Sequence, residues 1–147
     1  MQLPGSDTGT QKTIRLRRID GKTGYRIKKI SCIQKSPGAL DNEGLIQIWS
    51  VERTTAEIAV KTIDLEDSTL LALDYVSSST TSNIYPEDKT IIFDDVVFNQ
   101  DIFVTYIDVR TVNDPMNVEL QLEQISLDDV EATTVILKNF RNTNTVA

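Results

Sequence analysis

Side chains branched at Cβ are the feature of this sequence that most restricts its fold. Ile, Val and Thr together make up 45 of the 147 residues, whereas Ala accounts for only six. Branching at Cβ favours extended backbone over helix. The hydrophobic fraction of 39% is close to the globular average, and a chain of this length folds as one domain with a sizeable core. The composition therefore predicts a single all-β domain.

Several segments alternate apolar and polar residues with a period of two, and turn signals separate them. About eight strands without a long amphipathic helix are typical of a β-sandwich or a jelly-roll-like fold. The predicted strands are 12–19, 25–33, 45–51, 56–63, 69–76, 90–95, 96–98, 101–109, 118–127 and 131–140. A helix is the alternative at 69–76, and a helix capped through Ser126 and Asp129 is the alternative before the last strand.

One of these strands changes phase. Tyr25 and Ile27 fall on one face, whereas Ile30 and Cys32 fall on the other. An extra residue in a strand reconciles two such phases, so a β-bulge is predicted at 28–29. Segment 101–109 is apolar on both faces, which favours a central strand.

The predicted organisation has three parts. Residues 1–11 are rich in Gly, Ser, Thr, Asp and Pro and predict a mobile N-terminal arm. Residues 12–141 form the β-sandwich domain, and 142–147 form a polar C-terminal tail. No apolar run approaches the length of a membrane span, and the start has no signal-peptide pattern. The lone Cys32 is interpreted as a small buried hydrophobe.

The sequence has no histidine, which excludes Ser-His-Asp and Cys-His triads and the usual zinc sites. No phosphate-binding loop, dinucleotide motif or EF-hand pattern is present. Groups of acids occur at 64–67, 94–95 and 128–131, and we interpret them as solvated loop caps and not as a glycosidase pair or a calcium site. We therefore predict no enzyme activity and no catalytic, cofactor or metal residues.

Charge is distributed unevenly along the chain. Residues 1–35 hold nine basic and two acidic side chains, a net charge of +7, whereas residues 36–147 have a net charge of −14. If the first two predicted strands pair, they form one basic ribbon. This ribbon either docks on an acidic partner or is a solvated face neutralised by the chain's own acids. Nucleic acid is not expected, because the total charge is negative and aromatic residues are few. The predicted docking residues are Arg15, Arg17, Arg18, Lys28 and Lys29, with Trp49 as an apolar anchor in the core or at an interface.

Four segments resemble phrases from small virion proteins of marine tailed bacteriophages, in particular capsid-associated or decoration proteins. The segments are GYRIKKI at 24–30, IIFDDVVFNQDIFVTYIDV at 91–109, VELQLEQISL at 118–127 and ATTVILKNFRN at 132–142. They are strand patterns, so the resemblance implies no catalytic residue.

The resemblance implies a β-domain that binds other copies of itself and the major capsid protein on the virion surface, after synthesis in the host cytoplasm. Neither a small-molecule substrate nor a membrane is expected. The alternative is a carbohydrate- or receptor-binding module of a phage tail or host-attachment structure. Its candidate residues are Trp49, Tyr75, Tyr85 and Tyr106 with nearby acids.

Overall fold

The computed structural model describes residues 1–16, 22–37, 41–78, 87–110, 112–128, 131 and 134. These residues form two antiparallel β-sheets and a one-turn helix, which confirms the prediction of an all-β sandwich with about eight strands. The strands are β1 (Gln2–Leu3), β2 (Thr10–Ile14), β3 (Thr23–Gln34), β4 (Asn42–Trp49), β5 (Leu70–Ser78), β6 (Glu87–Ile92), β7 (Ile102–Asp108) and β8 (Met116–Ser126), and the helix is α1 (Thr55–Ala59).

The strands pair in the order of a jelly roll. The three-stranded sheet has the order β1-β8-β3, and the five-stranded sheet has the order β2-β7-β4-β5-β6. The first strand thus pairs with the eighth, the second with the seventh and the fourth with the fifth. A jelly roll has this pairing because one long antiparallel ribbon folds over into two layers. In a complete jelly roll the third strand also pairs with the sixth.

The sixth strand of this scheme is divided between the two sheets. β6 pairs with β5, and the chain then turns at 94–95 and crosses to the other layer. There Phe98 pairs with Tyr25 of β3 through backbone hydrogen bonds of 2.7 and 2.9 Å. The two rings stack with their centroids 6.5 Å apart. The jelly-roll pairing of the third and sixth strands is therefore reduced to a single bridge.

The main core lies between the sheets, and a smaller cluster lies on the outer face of the five-stranded sheet. β7 lies between β2 and β4, which confirms the prediction that it is central. It contributes side chains both to the main core and to the outer cluster. Residues buried between the sheets include Leu3, Ile27, Ile30, Ile46, Ile48, Ile102, Val104, Tyr106, Met116 and Val118. The outer cluster contains Trp49, Leu70 and Leu73, with Phe93 and Phe103 against them.

The predicted bulge in β3 is confirmed. Ile27 pairs with Leu122 and Lys29 pairs with Gln121, so Lys28 is the extra residue. Ile27 and Ile30 are both buried as a result.

The strand predicted at 56–63 is wrong, because α1 occupies its first half. The Thr54 Oγ1 accepts a hydrogen bond from the Glu57 backbone N–H, and the Glu57 side chain accepts one from the Thr54 N–H, both at 3.2 Å. This capping box satisfies two backbone donors at the start of a helix. Local capping therefore overrides the alternating pattern.

The predicted strand 131–140 is also wrong at the two positions that the structure describes. Glu131 and Thr134 are helical. Asp128 and Glu131 exchange hydrogen bonds of 2.7 and 3.0 Å between side chain and backbone, which again form a capping box. The rest of 132–140 and the predicted tail 142–147 lie outside the described residues.

The first residues differ from the predicted mobile arm. Gln2 and Leu3 pair with β8, and the ammonium group of Met1 donates to the Val118 carbonyl at 2.8 Å. Leu3 is 1% exposed, and residues 10–11 already belong to β2. Burial of an isobutyl side chain favours this ordering, since it removes a large apolar surface from water.

Candidate functional site

The predicted basic ribbon does not form. β2 pairs with β7 in the five-stranded sheet, whereas β3 pairs with β8 in the three-stranded sheet. Ile14 and Ile27 contact the core from opposite layers, so the apolar faces of the two strands are satisfied without pairing each other. The positive charge of residues 1–35 is therefore divided between the two layers.

The predicted docking residues lie in different places. Arg15 is exposed just beyond β2, and Lys28 and Lys29 are exposed at the bulge of β3. Arg17 and Arg18 lie outside the described residues. The structure therefore brings only Lys28 and Lys29 together.

The outer face of the three-stranded sheet neutralises part of its own charge. The guanidinium group of Arg26 contacts the Glu123 carboxylate, and the Lys28 Nζ lies 3.3 Å from the same carboxylate. The hydrogen bond from Arg26 lowers the pKa of Glu123 below its usual range and raises the pKa of Arg26. Lys29 has no such ion pair to any residue that the structure describes.

Trp49 is an anchor of the fold and not an exposed docking residue. Its ring is 6% exposed, its Nε1 donates to the Thr105 Oγ1 at 3.0 Å, and the Arg53 guanidinium lies 4.1 Å from its ring centroid. Trp49 thus lies in a buried cluster, as an anchor of the core does, and little of its ring is open to a partner. The interactions fix the segment that follows β4 against the sheet.

The aromatic residues of the carbohydrate alternative do not form a platform. Tyr106 is fully buried and donates to the Asp114 carbonyl at 2.8 Å. Tyr75 donates to Glu43 at 2.7 Å, and Tyr85 lies outside the described residues. Because Tyr106 is buried between the sheets, Trp49, Tyr75 and Tyr106 do not form one exposed aromatic platform.

A polar cavity of about 220 Å³ lies beside Trp49, between the outer face of the five-stranded sheet and segment 50–69. Gln47, Arg53, Asp64 and Asp67 are among the residues that line it. Two of the nitrogen atoms, the Gln47 Nε2 and the Arg53 Nε, are buried without a hydrogen-bond partner. Buried donors without a partner are rare in native proteins, so these two need an explanation.

A second concave surface, a groove of about 410 Å³, crosses the outer face of the three-stranded sheet. Met1, Ser31, Ile33 and Glu119 line it. Ile33 is 53% exposed and Met1 is 39% exposed. The groove is thus a partly apolar surface on the same strand as Lys28 and Lys29.

One buried carboxylate faces the space between the sheets. Asp74 is 0% exposed, and its Oδ1 accepts a hydrogen bond from the Thr90 Oγ1 at 3.0 Å, whereas its Oδ2 has no partner. Burial, and after it the neighbouring Asp88 carboxylate, raise the pKa of Asp74 to about 7. Burial and then Asp74 raise the pKa of the Cys32 thiol, which makes this cysteine a poor nucleophile.

Several acids of the groups at 64–67 and 128–131 act as local caps. Asp64 accepts from the Glu66 backbone at 3.0 Å, and Asp67 accepts from the Thr69 backbone at 2.9 Å. Within the described parts of the chain, no group of three possible ligands is placed to hold a metal ion. Among the same residues no helix is long and apolar enough to span a membrane.

No family model, curated protein or solved structure matches this chain.

Sequence reasoning missed the residues around the cavity beside Trp49. Gln47 is the one polar side chain in the apolar run LIQIW. A polar residue at such a position of a central strand was a signal that it contacts other polar groups. Arg53 gave no such signal, since its position over Trp49 depends on the path of the chain after β4.

Proposed function

We propose that this protein is a non-enzymatic structural component of a bacteriophage virion, a decoration protein that binds the major capsid protein and other copies of itself on the capsid surface. The observation that carries the proposal is the jelly-roll pairing of the eight strands, an arrangement used by viral capsid and lectin domains. Because fold alone does not determine function, the assignment to a virion rests on the sequence resemblance.

The face that supports docking best is the outer face of the three-stranded sheet. It carries the groove at Ile33 and, four to five residues earlier on β3, the bulge with Lys28 and Lys29. Lys29 and Ile33 lie about 13 Å apart along β3, since a strand rises about 3.3 Å per residue, so this face fits a partner surface that has an apolar patch and, about the same distance away, a carboxylate. We assign this partner surface to the major capsid protein.

The test is cosedimentation of the purified protein with capsids assembled from the major capsid protein of the phage that encodes it. The triple variant Lys28→Glu/Lys29→Glu/Ile33→Asp is expected to bind about tenfold more weakly or worse, which corresponds to about 1.4 kcal/mol. Binding of the wild-type protein is also expected to weaken as salt is raised.

The matched control is Lys12→Glu/Arg15→Glu, which reverses two exposed charges on the other sheet. It is expected to bind like the wild type. If the control loses binding and the triple variant keeps it, the docking face is wrongly assigned, and if the wild-type protein does not bind capsids, the proposed function fails.

A further inference from the structure

One edge of β8 is left open over most of its length. β8 has 11 residues, but β1 pairs with it only at 116–117, and the Met1 ammonium group reaches no further than the Val118 carbonyl. No other strand that the structure describes pairs with this edge. Residues 119–126 therefore present an open edge on the side away from β3, in line with β1.

The hydrogen bonds at the two ends of β8 identify the backbone groups of this edge. The Val118 N–H donates to the Met1 carbonyl at 2.8 Å, on the β1 side. The Leu127 N–H donates to the Lys22 carbonyl at 2.7 Å, on the β3 side. Successive residues of a strand direct their backbone groups to opposite edges, and β8 is regular here because the extra residue of the bulge lies in β3. The groups on the open edge are those of Leu120, Leu122, Gln124 and Ser126.

This edge differs from the other sheet edges that the structure describes. β3 carries the bulge with Lys28 and Lys29, β2 is five residues long and carries Lys12, and β6 carries Asp88 and Lys89 among its six residues. Short strands, charged side chains and bulges are the features by which native edges avoid pairing with other chains. β8 has no lysine, proline or bulge along its open stretch, so it is the described edge best suited to accept a further strand.

The side chains beside the open edge define the kind of strand that fits. Leu120 and Leu122 pack against the main core but are only half-buried, so an added strand gains stability by directing apolar side chains inward. On the outer face, Glu119 is exposed and has no ion pair with a described residue, whereas Glu123 is already paired within the sheet. A basic side chain opposite Glu119 is therefore favoured.

We propose that an extended segment of the major capsid protein, with alternating apolar and basic side chains, pairs with residues 119–126 as an additional strand that continues β1. Strand addition of this kind obtains affinity from main-chain hydrogen bonds and specificity from alternate side chains. The groove lined by Met1 and Glu119 borders the open edge. The added strand is thus continuous with the docking face of the proposed function, on which this inference rests.

Hydrogen–deuterium exchange tests the inference on the intact protein, free and bound to capsids of the phage that encodes it. In the free protein, the amides of Leu120, Leu122 and Gln124 are expected to exchange about tenfold faster or more than those of Gln121 and Glu123, which pair with β3. Capsid binding is expected to slow the exchange of the first group. NMR resolves the amides of the free protein, and mass spectrometry follows segment 119–126 in the bound protein.

Gln124→Pro and Gln124→Thr form a matched pair of variants. Gln124 is exposed and its N–H lies on the open edge, so proline there removes a donor from the added strand and leaves the pairing with β3 intact. Gln124→Pro is expected to bind capsids about tenfold more weakly. Gln124→Thr keeps the N–H and is expected to bind like the wild type. Circular dichroism verifies the fold of both variants, and the exchange experiment on the wild type does not depend on either.

Protected amides at Leu120, Leu122 and Gln124 in the free monomer would overturn the inference, because this chain then already covers the edge. Protection that rises with protein concentration in the absence of capsids would overturn it too, since a second copy is then the occupant. Capsid binding without new protection in 119–126, or equal binding by the two folded variants, would refute the added strand and leave the proposed function in place. If the wild-type protein does not bind capsids, both fail.

Discussion

At the scale of single residues, Asp74 is the least expected feature of the core. It lies on β5 between the sheets, facing Cys32 of β3 and Asp88 and Thr90 of β6. A buried carboxyl group with one unpaired oxygen is more stable protonated, because burial disfavours the charged form. No sequence pattern predicted a buried carboxyl group here, since Asp74 is a single acidic residue inside the apolar strand LLALDYV.

The first prediction concerns stability against pH. The pKa of Asp74 is raised to about 7 in the folded protein from 3.8, so its contribution to stability is fully present below about pH 4 and is lost as the pH rises through 7. We expect Asp74→Asn to be more stable than the wild type at pH 8, by on the order of 2 to 4 kcal/mol, with the difference shrinking toward pH 4.

Urea unfolding followed by circular dichroism between pH 4 and pH 8 measures this difference. Asp95→Asn changes an exposed acid in the turn after β6 and is expected to follow the wild type at every pH. A constant difference between wild type and Asp74→Asn across the range would contradict the assigned titration.

At the scale of elements, local sequence patterns predicted most of the strands. β8 followed from its alternation, β7 from a segment that is apolar on both faces, and the bulge of β3 from its change of phase. The failures at 56–63 and at 131 and 134 have one cause in common. In both places a capping box, Thr54 with Glu57 and Asp128 with Glu131, starts a helix, and a two-residue reciprocal cap outweighs a short run of β-branched residues.

The second prediction uses the bulge to compare two single-residue deletions. Deletion of Lys28 leaves the pairs Ile27–Leu122 and Lys29–Gln121 in place, so we expect the fold to survive with a loss of about 1 kcal/mol. Deletion of Gln121 from β8 shifts its register and turns Leu122 outward and Glu123 into the core. We expect this second variant not to fold.

Circular dichroism and the thermal unfolding midpoint distinguish the two deletions. Equal destabilisation by both would show that the extra residue is required for the sheet and is not merely accommodated by it.

At the scale of the whole molecule, composition and periodicity predicted the two-layer class but not the pairing of strands. Strand order depends on which segments far apart in sequence meet, and the basic ribbon of β2 and β3 failed for this reason. The cavity beside Trp49 could not be predicted from the sequence either, because Gln47 lies on one strand and Arg53 and Asp64 lie on the segment that folds over it. Lys28 and Lys29 stayed together because they are neighbours in sequence.

The third prediction concerns closure of the sandwich by its first residues. Leu3 is 1% exposed in the main core, so Leu3→Ala is expected to lower the free energy of unfolding by about 2 to 5 kcal/mol. Gln2 is the neighbouring residue of β1 and is exposed, so Gln2→Ala is expected to change stability by no more than about 0.5 kcal/mol. Urea unfolding at pH 7 measures both, and a stable Leu3→Ala protein would restore the interpretation of 1–11 as an arm.

The divided sixth strand also affects how the two layers move. β6 is hydrogen-bonded to β5 in one layer, and Phe98, a few residues later, is hydrogen-bonded to Tyr25 of β3 in the other layer. A short stretch of backbone therefore joins the two layers along one edge of the sandwich. We expect more local opening at the opposite margin, where β1 contacts β2, because β1 is only two residues long and short pairing supplies few backbone hydrogen bonds. Amide protons should accordingly exchange with solvent more slowly around Tyr25 and Phe98 than around Thr10.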